Sequence, residues 1–97
     1  MPSQQQQQPK FSLGKIIVTP NAVDAFFAAH QTPHEFMAQH RAGNWGEVSQ
    51  YEQEQNECCL KKGLRIISAY RLKTGVKIWV ITEADRSATT LLLSEEY

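Results

Sequence analysis

The chain has 97 residues, 41% of them hydrophobic, and its ten basic and ten acidic side chains cancel to a net charge of zero. This length suits one domain with a small core, and the balanced charge argues against both a generally basic nucleic-acid binder and an acidic mimic of DNA. The two cysteines, Cys58 and Cys59, are adjacent and predict no disulfide framework. Because no signal peptide or membrane-spanning apolar run is recognisable, the sequence predicts a cytoplasmic protein.

Residues 1–10, MPSQQQQQPK, are predicted to form a disordered Gln-rich tail. Five consecutive glutamines have no apolar side chain whose burial could offset the entropy lost on ordering. A single domain is therefore expected over residues 11–97. Its first element is a short strand over residues 14–18, which is rich in β-branched side chains.

Two helices are predicted next, and each begins at a Thr-Pro pair. Thr19 as N-cap with Pro20 at the first helical position starts one helix, and a Thr32–Glu35 capping box starts the other. We expect these helices to bury Val23, Phe26 and Phe27 in the first, and Phe36, Met37 and His40 in the second.

The connection after the second helix holds Trp45 between two glycines, and we expect this side chain to pack as a lid on the helices. A third helix is predicted over residues 50–62, between a Ser49–Glu52 capping box and a C-terminal stop at Gly63. Its mostly polar composition predicts a helix at the surface.

The segment 64–97 predicts three strands joined by two turns. Between the first two strands, a two-residue turn would pair Tyr70 with Trp79, whereas a three-residue turn with Gly75 left-handed pairs Tyr70 with Ile78. We prefer the three-residue turn because it gathers one consistently apolar face, which a slip of one residue would expose.

That register leaves a second face that mixes charged side chains with large apolar ones, and it places Arg65 opposite Glu83 as a cross-strand ion pair. We expect this face to be either partly covered by other parts of the chain or a surface for a partner. The second face consists of Arg65, Ile67, Ala69, Arg71, Lys77, Trp79, Ile81 and Glu83.

The last strand, ATTLLL at 88–93, is apolar on both sides, which predicts an interior position in the sheet. The predicted fold class is α+β, with β-α-α-α-β-β-β order, a mostly antiparallel four-stranded sheet and helices packed on one face. The pattern does not indicate which edge of the sheet the first strand joins.

The turn at 82–87, TEADRS, has the densest group of polar side chains in the chain. Paired carboxylates such as Glu83 and Asp85 can bind a metal ion or divide acid and base work, and Arg86 could assist them. The same residue types are also ordinary turn formers, and an Asp–Arg pair can fix a loop. We rank a structural role first, partner binding second and catalysis third.

No metal or cofactor site and no catalytic residue are predicted. The spacing of His30, His34 and His40 does not place them on one helix face, and no carboxylate or thiol completes a known ligand pattern. Phosphate-binding, dinucleotide-binding and nucleophile-elbow motifs are missing from the sequence.

Four motifs resemble a family of small proteins carried on plasmids and integrated mobile elements of bacteria. They are IVTP at 17–20, GNWG at 43–46, SAYRL at 68–72 and IWVITEADRSATT at 78–90. The resemblance covers roughly residues 14–97. Family members are labelled "plasmid-related protein" or "type I restriction endonuclease subunit M", yet this chain lacks the nucleotide-binding domain and N-P-P-[FY] motif of an adenine methyltransferase. The resemblance therefore implies a mobile-element setting and transfers no catalytic residue.

The leading hypothesis is a non-enzymatic accessory protein of a mobile element that binds another protein, with an anti-defence role as its more specific form. Tryptophan and arginine are frequent interface anchors, and the candidate partner-binding residues are Arg71, Lys77, Trp79, Ile81, Glu83, Asp85 and Arg86. The first alternative is a nucleic-acid-binding regulator with a local basic patch formed by Lys61, Lys62, Arg65, Arg71, Lys73 and Lys77. The second alternative is a small enzyme that uses Glu83, Asp85 and Arg86.

Overall fold

The computed structural model describes residues 10–97, so nearly all of the predicted Gln-rich tail lies outside the described residues. In chain order the elements are β1 (Lys15–Val18), α1 (Pro20–Ala29), α2 (Pro33–Arg41), α3 (Gln50–Lys62), β2 (Ile66–Arg71), β3 (Lys77–Thr82), β4 (Ala88–Leu93) and a 3₁₀ helix (Ser94–Glu96). Within residues 10–97, no helix is long and apolar enough to cross a membrane.

The four strands form one sheet in the order β1-β4-β3-β2. The predicted α+β class and the order of elements are confirmed, as is the interior position of β4. The sheet is mixed, however, because β1 runs parallel to β4, while the β4–β3 and β3–β2 pairs are antiparallel. A strand near the start of the chain thus pairs with the last strand, which no local pattern could indicate.

The predicted register of the β2–β3 hairpin is confirmed. Tyr70 pairs with Ile78, and the turn closes with the Leu72 N–H donating to the Val76 carbonyl at 2.8 Å. Gly75 has a φ of +95°, the left-handed conformation that the three-residue turn requires.

Two of the three predicted helix starts have the expected chemistry. The Thr19 hydroxyl oxygen accepts from the Ala22 N–H at 3.1 Å. Ser49 and Glu52 form a reciprocal capping box, with bonds of 3.1 and 2.8 Å. Because this box satisfies two otherwise unpaired N–H groups, α3 begins at the predicted residue.

The capping box predicted at Thr32–Glu35 is wrong. The Thr32 side chain makes no cap bond, and the Glu35 carboxylate instead accepts from the Gln31 side-chain amide at 3.3 Å. α2 nevertheless begins at Pro33, because the proline ring holds φ near the helical value and has no N–H to satisfy.

The helix face of the sheet, which α1 and α2 cover, carries the main core. Phe26, Phe36 and Tyr70 pack there with their rings tilted, and neighbouring ring centroids are 5.7 and 5.3 Å apart. The buried stripe predicted for α1 is partly wrong, since Val23 is 50% and Phe27 84% exposed. The buried stripe of α1 consists of Ala22, Phe26 and Ala29.

α3 departs from the prediction that all helices pack on one face, because it lies along the outer edge of β2. The Asn56 side chain bonds both backbone groups of Ile67 there, accepting from its N–H at 3.3 Å and donating to its carbonyl at 2.8 Å. The segment before α3 also pairs with this edge: the Ala69 N–H donates to the Trp45 carbonyl, and the Glu47 N–H to the Ala69 carbonyl.

Gly46 allows that close approach. Its φ is +77°, and a Cβ placed on it would lie 2.0 Å from the Ala69 carbonyl oxygen. A glycine is therefore required where the Trp45–Glu47 segment meets β2. Together with Asn56, this segment satisfies the backbone groups that an edge strand would otherwise offer to another chain.

Candidate functional site

A cleft of about 270 Å³ lies between α3 and the second face of the sheet. Its floor is formed by alternate residues of two adjacent strands, because side chains two apart on a strand point to the same side. Eleven residues line it: Glu47, Val48, Glu52, Gln55, Asn56, Cys59, Arg65, Ile67, Ala69, Lys77 and Trp79.

The floor of the cleft is apolar. Ala69 pairs directly with Trp79 across the β2–β3 ladder, and Ile67 is the next residue of β2 on the same face. The methyl group of Ala69 leaves space beside the large indole of Trp79, and this space forms part of the cleft. Val48 and Cys59, which lie in the loop before α3 and on α3 itself, add apolar walls.

The rim of the cleft carries charges of both signs. Glu47 accepts from the Arg71 guanidinium at 3.2 Å, and Arg65 donates to Glu83 at 3.4 Å, as predicted. All four side chains are between 41% and 51% exposed, so each pair contributes little to stability. These charges can therefore change partners at small cost when another molecule binds.

Trp79 is partly covered by the C-terminal segment of the chain. The Tyr97 ring packs on its indole with centroids 4.6 Å apart, and the Tyr97 hydroxyl accepts from Arg65 at 3.2 Å. The Trp79 Nε1–H is shielded from solvent and has no hydrogen-bond acceptor among residues 10–97. A buried donor without an acceptor costs about 1–3 kcal/mol.

The C-terminal segment that covers Trp79 is held by Glu96. Its carboxylate accepts from the Thr19 hydroxyl at 2.7 Å, from the Asn21 side chain at 3.1 Å and from the Leu93 N–H at 2.9 Å. The Leu93 backbone bond, followed by the bond from Thr19, lowers the pKa of Glu96. The end of the chain is thus tied to the start of α1.

The candidate partner-binding residues are divided between two regions. Lys77 and Trp79 line the cleft, and Arg71 reaches its rim through Glu47. Ile81 belongs to the second face but is only 5% exposed. The other three candidates, Glu83, Asp85 and Arg86, lie in or beside the β3–β4 turn and do not line the cleft.

The side chains of Asp85 and Arg86 bind backbone groups of the β3–β4 turn and of the segment before β2. The Arg86 guanidinium donates to the carbonyls of Leu64, Glu83 and Ala84 at 2.8, 3.1 and 3.2 Å. Asp85 accepts from the Ser87 N–H at 3.0 Å. Bonds from the Ser87 side chain and backbone lower the pKa of Asp85.

The six residues of the basic patch extend along the whole of β2. Lys61 and Lys62 end α3, before β2 begins, whereas Lys73 lies in the turn after β2 ends. A six-residue strand is about 20 Å long, so the lysines at its two ends do not form one compact patch. The two arginines between them are paired with carboxylates.

A chain of hydrogen bonds crosses the helix face beneath α2. His40 Nδ1 contacts Ser68 Oγ, and His40 Nε2 lies 2.8 Å from Thr82 Oγ1. Thr82 Oγ1 lies 2.7 Å from Thr89 Oγ1, which donates to the Leu13 carbonyl at 2.8 Å. His40, Ser68, Thr82 and Thr89 all have 0% exposure.

The donor and the acceptor of each hydrogen bond in this network can be assigned from its last member, the Leu13 carbonyl. A carbonyl oxygen can only accept, so the Thr89 hydroxyl donates to Leu13 and accepts from the Thr82 hydroxyl. Thr82 must then accept from His40 Nε2–H. Burial disfavours the charged imidazolium, so the ring is neutral with its proton on Nε2. The unprotonated Nδ1 then accepts from the Ser68 hydroxyl, and both nitrogens are satisfied.

The Ser68–His40 contact resembles a nucleophile beside its base, but the environment does not suit catalysis. Burial, followed by the positive charge of Arg86, lowers the pKa of His40 to about 3, so its imidazole is a weak base at neutral pH. Phe11 packs edge-on against the ring with centroids 5.2 Å apart. Trp45 lies 5.8 Å from the same ring, which places it as the predicted lid. These contacts indicate a structural role.

Two features of the chain could have indicated this network. Ser68 and Thr82 are polar residues on the apolar side of the preferred hairpin register, and His40 is a polar residue on the buried side of α2. Buried polar groups are normally hydrogen-bonded, so the three positions predict partners for one another. Thr89 could not be placed in this way, because β4 is apolar on both sides.

In the described part of the chain, no three His, Cys, Asp or Glu side chains come together as metal ligands would. Comparison with protein-family models, curated proteins and solved structures finds no match for this chain.

Proposed function

We propose that this protein is a non-enzymatic accessory protein that acts by binding another protein, and that the cleft between α3 and the second face is its binding surface. The observation that carries the proposal is the arrangement of the cleft, with an apolar floor at Ile67, Ala69 and Trp79 inside a rim of opposite charges. An apolar centre within a polar rim is the usual anatomy of a protein interface.

The size and polarity of the cleft favour a side chain of a partner over a cofactor. Ligand pockets commonly have volumes of about 300–1,000 Å³ and enclose most of their ligand. This cleft, at about 270 Å³, is smaller and can take one large apolar side chain. The rim residues Glu47, Glu52, Arg65 and Lys77 could then orient the partner by charge.

The mobile-element setting of the proposal comes from the resemblance of four motifs to plasmid-borne and integrated-element proteins. In that setting, the partner is a protein of the bacterial host or of the element. An anti-defence role, in which the protein blocks a restriction or interference complex, is the specific form of this proposal.

Photo-crosslinking in a bacterial host tests the proposal. A photoreactive amino acid at Val48, on the cleft wall, should capture a defined partner. Two substitutions at the cleft, Lys77→Glu at the rim and Gln55→Trp at its α3 side, should reduce the captured amount by at least about tenfold, which corresponds to a loss of about 1.4 kcal/mol of binding energy.

Matched controls make the same chemical changes outside the cleft. Lys73→Glu lies in the β2–β3 turn, and Gln53→Trp is an exposed position of α3 that does not line the cleft. Both should retain the partner. Equal capture by the cleft variants and the controls, or capture of no defined protein, would overturn the assignment of the cleft.

A further inference from the structure

The two edges of the sheet differ in how far other parts of the chain cover them. The outer edge of β2 is covered by Asn56 and by the Trp45–Glu47 segment. β1, at the opposite edge, has no neighbouring strand on its outer side within residues 10–97. An uncovered edge strand can pair with another chain, so β1 is the edge at which such pairing can occur.

The backbone of β1 presents hydrogen-bonding groups outward. The N–H groups of Lys15 and Thr19 donate toward the β4 side, to Ser87 and Leu91, at 2.9 and 3.1 Å. Backbone direction alternates along a strand, so the N–H and C=O groups of Ile16 and Val18 point away from β4. The free edge is therefore a donor-and-acceptor ladder of the kind that completes an antiparallel pair.

The side chains of β1 are apolar and accessible. Ile16 is 39% exposed on the helix face, and Ile17 is 42% exposed on the second face. The charged residue of the strand is Lys15, at its start. Edge strands that avoid pairing usually carry charges or proline along their length; β1 has neither after Lys15.

A second copy of the same strand is complementary to this edge. When two β1 strands pair antiparallel about a two-fold axis at Ile17, Ile16 of each copy lies opposite Val18 of the other. Those two pairs each exchange two backbone bonds, and the two Ile17 side chains meet in the closer, non-hydrogen-bonded position. Lys15 lies opposite Thr19, so no like charges face each other.

In the same arrangement, the second copy also lies next to an open groove beside β1 of the first copy. This groove of about 540 Å³ includes Phe11, Leu13, Ile16 and Met37 in its lining. Antiparallel pairing places the Thr19 end of the second copy next to the Lys15 end of the first. The start of α1 of the second copy, with its half-exposed Val23, then lies beside the apolar lining.

We infer that the protein is a homodimer in which two β1 strands join the sheets of two copies into one continuous eight-stranded sheet. The contact uses the same edge of each copy, and the far edges of the joined sheet are the covered β2 strands. The assembly consequently closes at two copies and does not extend into a fibre.

A charge-swap experiment tests the dimer, because the Ile17 side chains of the two copies face each other across the two-fold axis. The wild-type protein should have twice the 11.0 kDa mass of one chain in size-exclusion chromatography with light scattering. Ile17→Lys and Ile17→Glu should each be monomeric, with the dissociation constant raised by at least about tenfold, because like charges then lie directly opposite. Mixing the two variants should restore the double mass.

Leu64→Lys is the matched control, since Leu64 is 48% exposed and precedes β2. This variant should remain dimeric, and circular dichroism should show that all variants fold. A monomeric wild-type protein, a dimer that persists in both Ile17 variants, or a mixture that stays monomeric would overturn the inference. Any of these results would leave the cleft proposal to be judged on its own crosslinking test.

Discussion

At the scale of single residues, His40 shows how a buried polar side chain can join parts of the chain that are distant in sequence. Its two ring nitrogens connect Ser68 on β2 with Thr82 on β3, and Thr89 extends the chain of bonds to the Leu13 carbonyl. A buried network stabilises a fold when every member is satisfied, and each bond here has a donor and an acceptor.

The network makes stability depend on pH. The pKa of His40 is lowered in the folded protein from 6.5 to about 3, so the unfolded chain takes up this proton first as the pH falls. The contribution of neutral His40 to the free energy of unfolding is therefore fully present above pH 6.5. The free energy of unfolding decreases from there toward pH 3, by up to about 1.4 kcal/mol per pH unit. Between pH 6.5 and 5 the three carboxylates with lowered pKa, Glu52, Asp85 and Glu96, stay ionised in the fold.

Urea denaturation at pH values from 8 to 5 measures this dependence, and His40→Gln is the control that removes the titrating group. The slope of the free energy of unfolding against pH should be clearly smaller in the variant than in the wild type. An NMR titration in which the His40 ring protonates near its ordinary pKa would contradict the proposed network.

Trp79 carries a buried N–H that has no acceptor among residues 10–97, and removal of this N–H should cost little. We expect Trp79→Phe to change the free energy of unfolding by less than about 1 kcal/mol, because the smaller packing area is offset by loss of the unsatisfied donor. Trp45→Phe should cost more, since Trp45 is 4% exposed and its Nε1–H donates to Glu57 at 3.2 Å. Chemical denaturation of both variants gives the comparison, and a larger loss for Trp79→Phe would be inconsistent with this account.

At the scale of elements, the sequence predicted those features that depend on neighbouring residues in the chain. The bounds of α3 follow from the Ser49 cap and Gly63, and the hairpin register follows from which side of each strand is apolar. The buried side of α1 could not be chosen in this way. Val23, Phe26 and Phe27 form one helical stripe, and the observed stripe depends on two small alanines whose burial no hydrophobicity pattern emphasises.

The β3–β4 turn should behave as a structural element. Arg86 has a φ of +62°, and its guanidinium binds three carbonyls. Arg86→Ala should lower the free energy of unfolding by about 2–3 kcal/mol, because charged hydrogen bonds are lost. Arg86→Gly should be about 1 kcal/mol less harmful, since glycine adopts the left-handed conformation without a Cβ penalty. Equal losses for the two variants in thermal or urea unfolding would contradict a strained left-handed position.

The covered edge of β2 gives a second test at this scale. Asn56→Ala removes both side-chain bonds to Ile67 and should cost about 1–3 kcal/mol. It should also make the protein self-associate beyond its normal state as concentration rises, because a second edge becomes available. Denaturation and light scattering measure both effects, with Gln55→Ala, an exposed neighbour on α3, as control. An unchanged tendency to associate would show that the Trp45–Glu47 segment protects this edge by itself.

At the scale of the whole molecule, the parts that sequence reasoning could not predict are those that join distant residues. The parallel pairing of β1 with β4, the position of α3 along β2 and the Tyr97 contact with Trp79 depend on how completed elements fit together. The cleft results from the position of α3 beside β2, because residues of α3 form one of its walls. Lys77 and Trp79 were predicted for a binding surface, whereas Gln55, Glu52 and Val48 were not, because nothing local places α3 opposite the second face.

The division between scaffold and binding surface is the central claim, and partner capture by two single-residue variants tests it most directly. Asp85→Ala changes the polar turn, and Lys77→Glu changes the rim of the cleft. With crosslinking from Val48 and equal amounts of folded protein, we expect Asp85→Ala to capture its partner as the wild type does and Lys77→Glu to lose it. Loss of the partner in Asp85→Ala, with capture retained in Lys77→Glu, would place the binding surface at the turn and contradict this account.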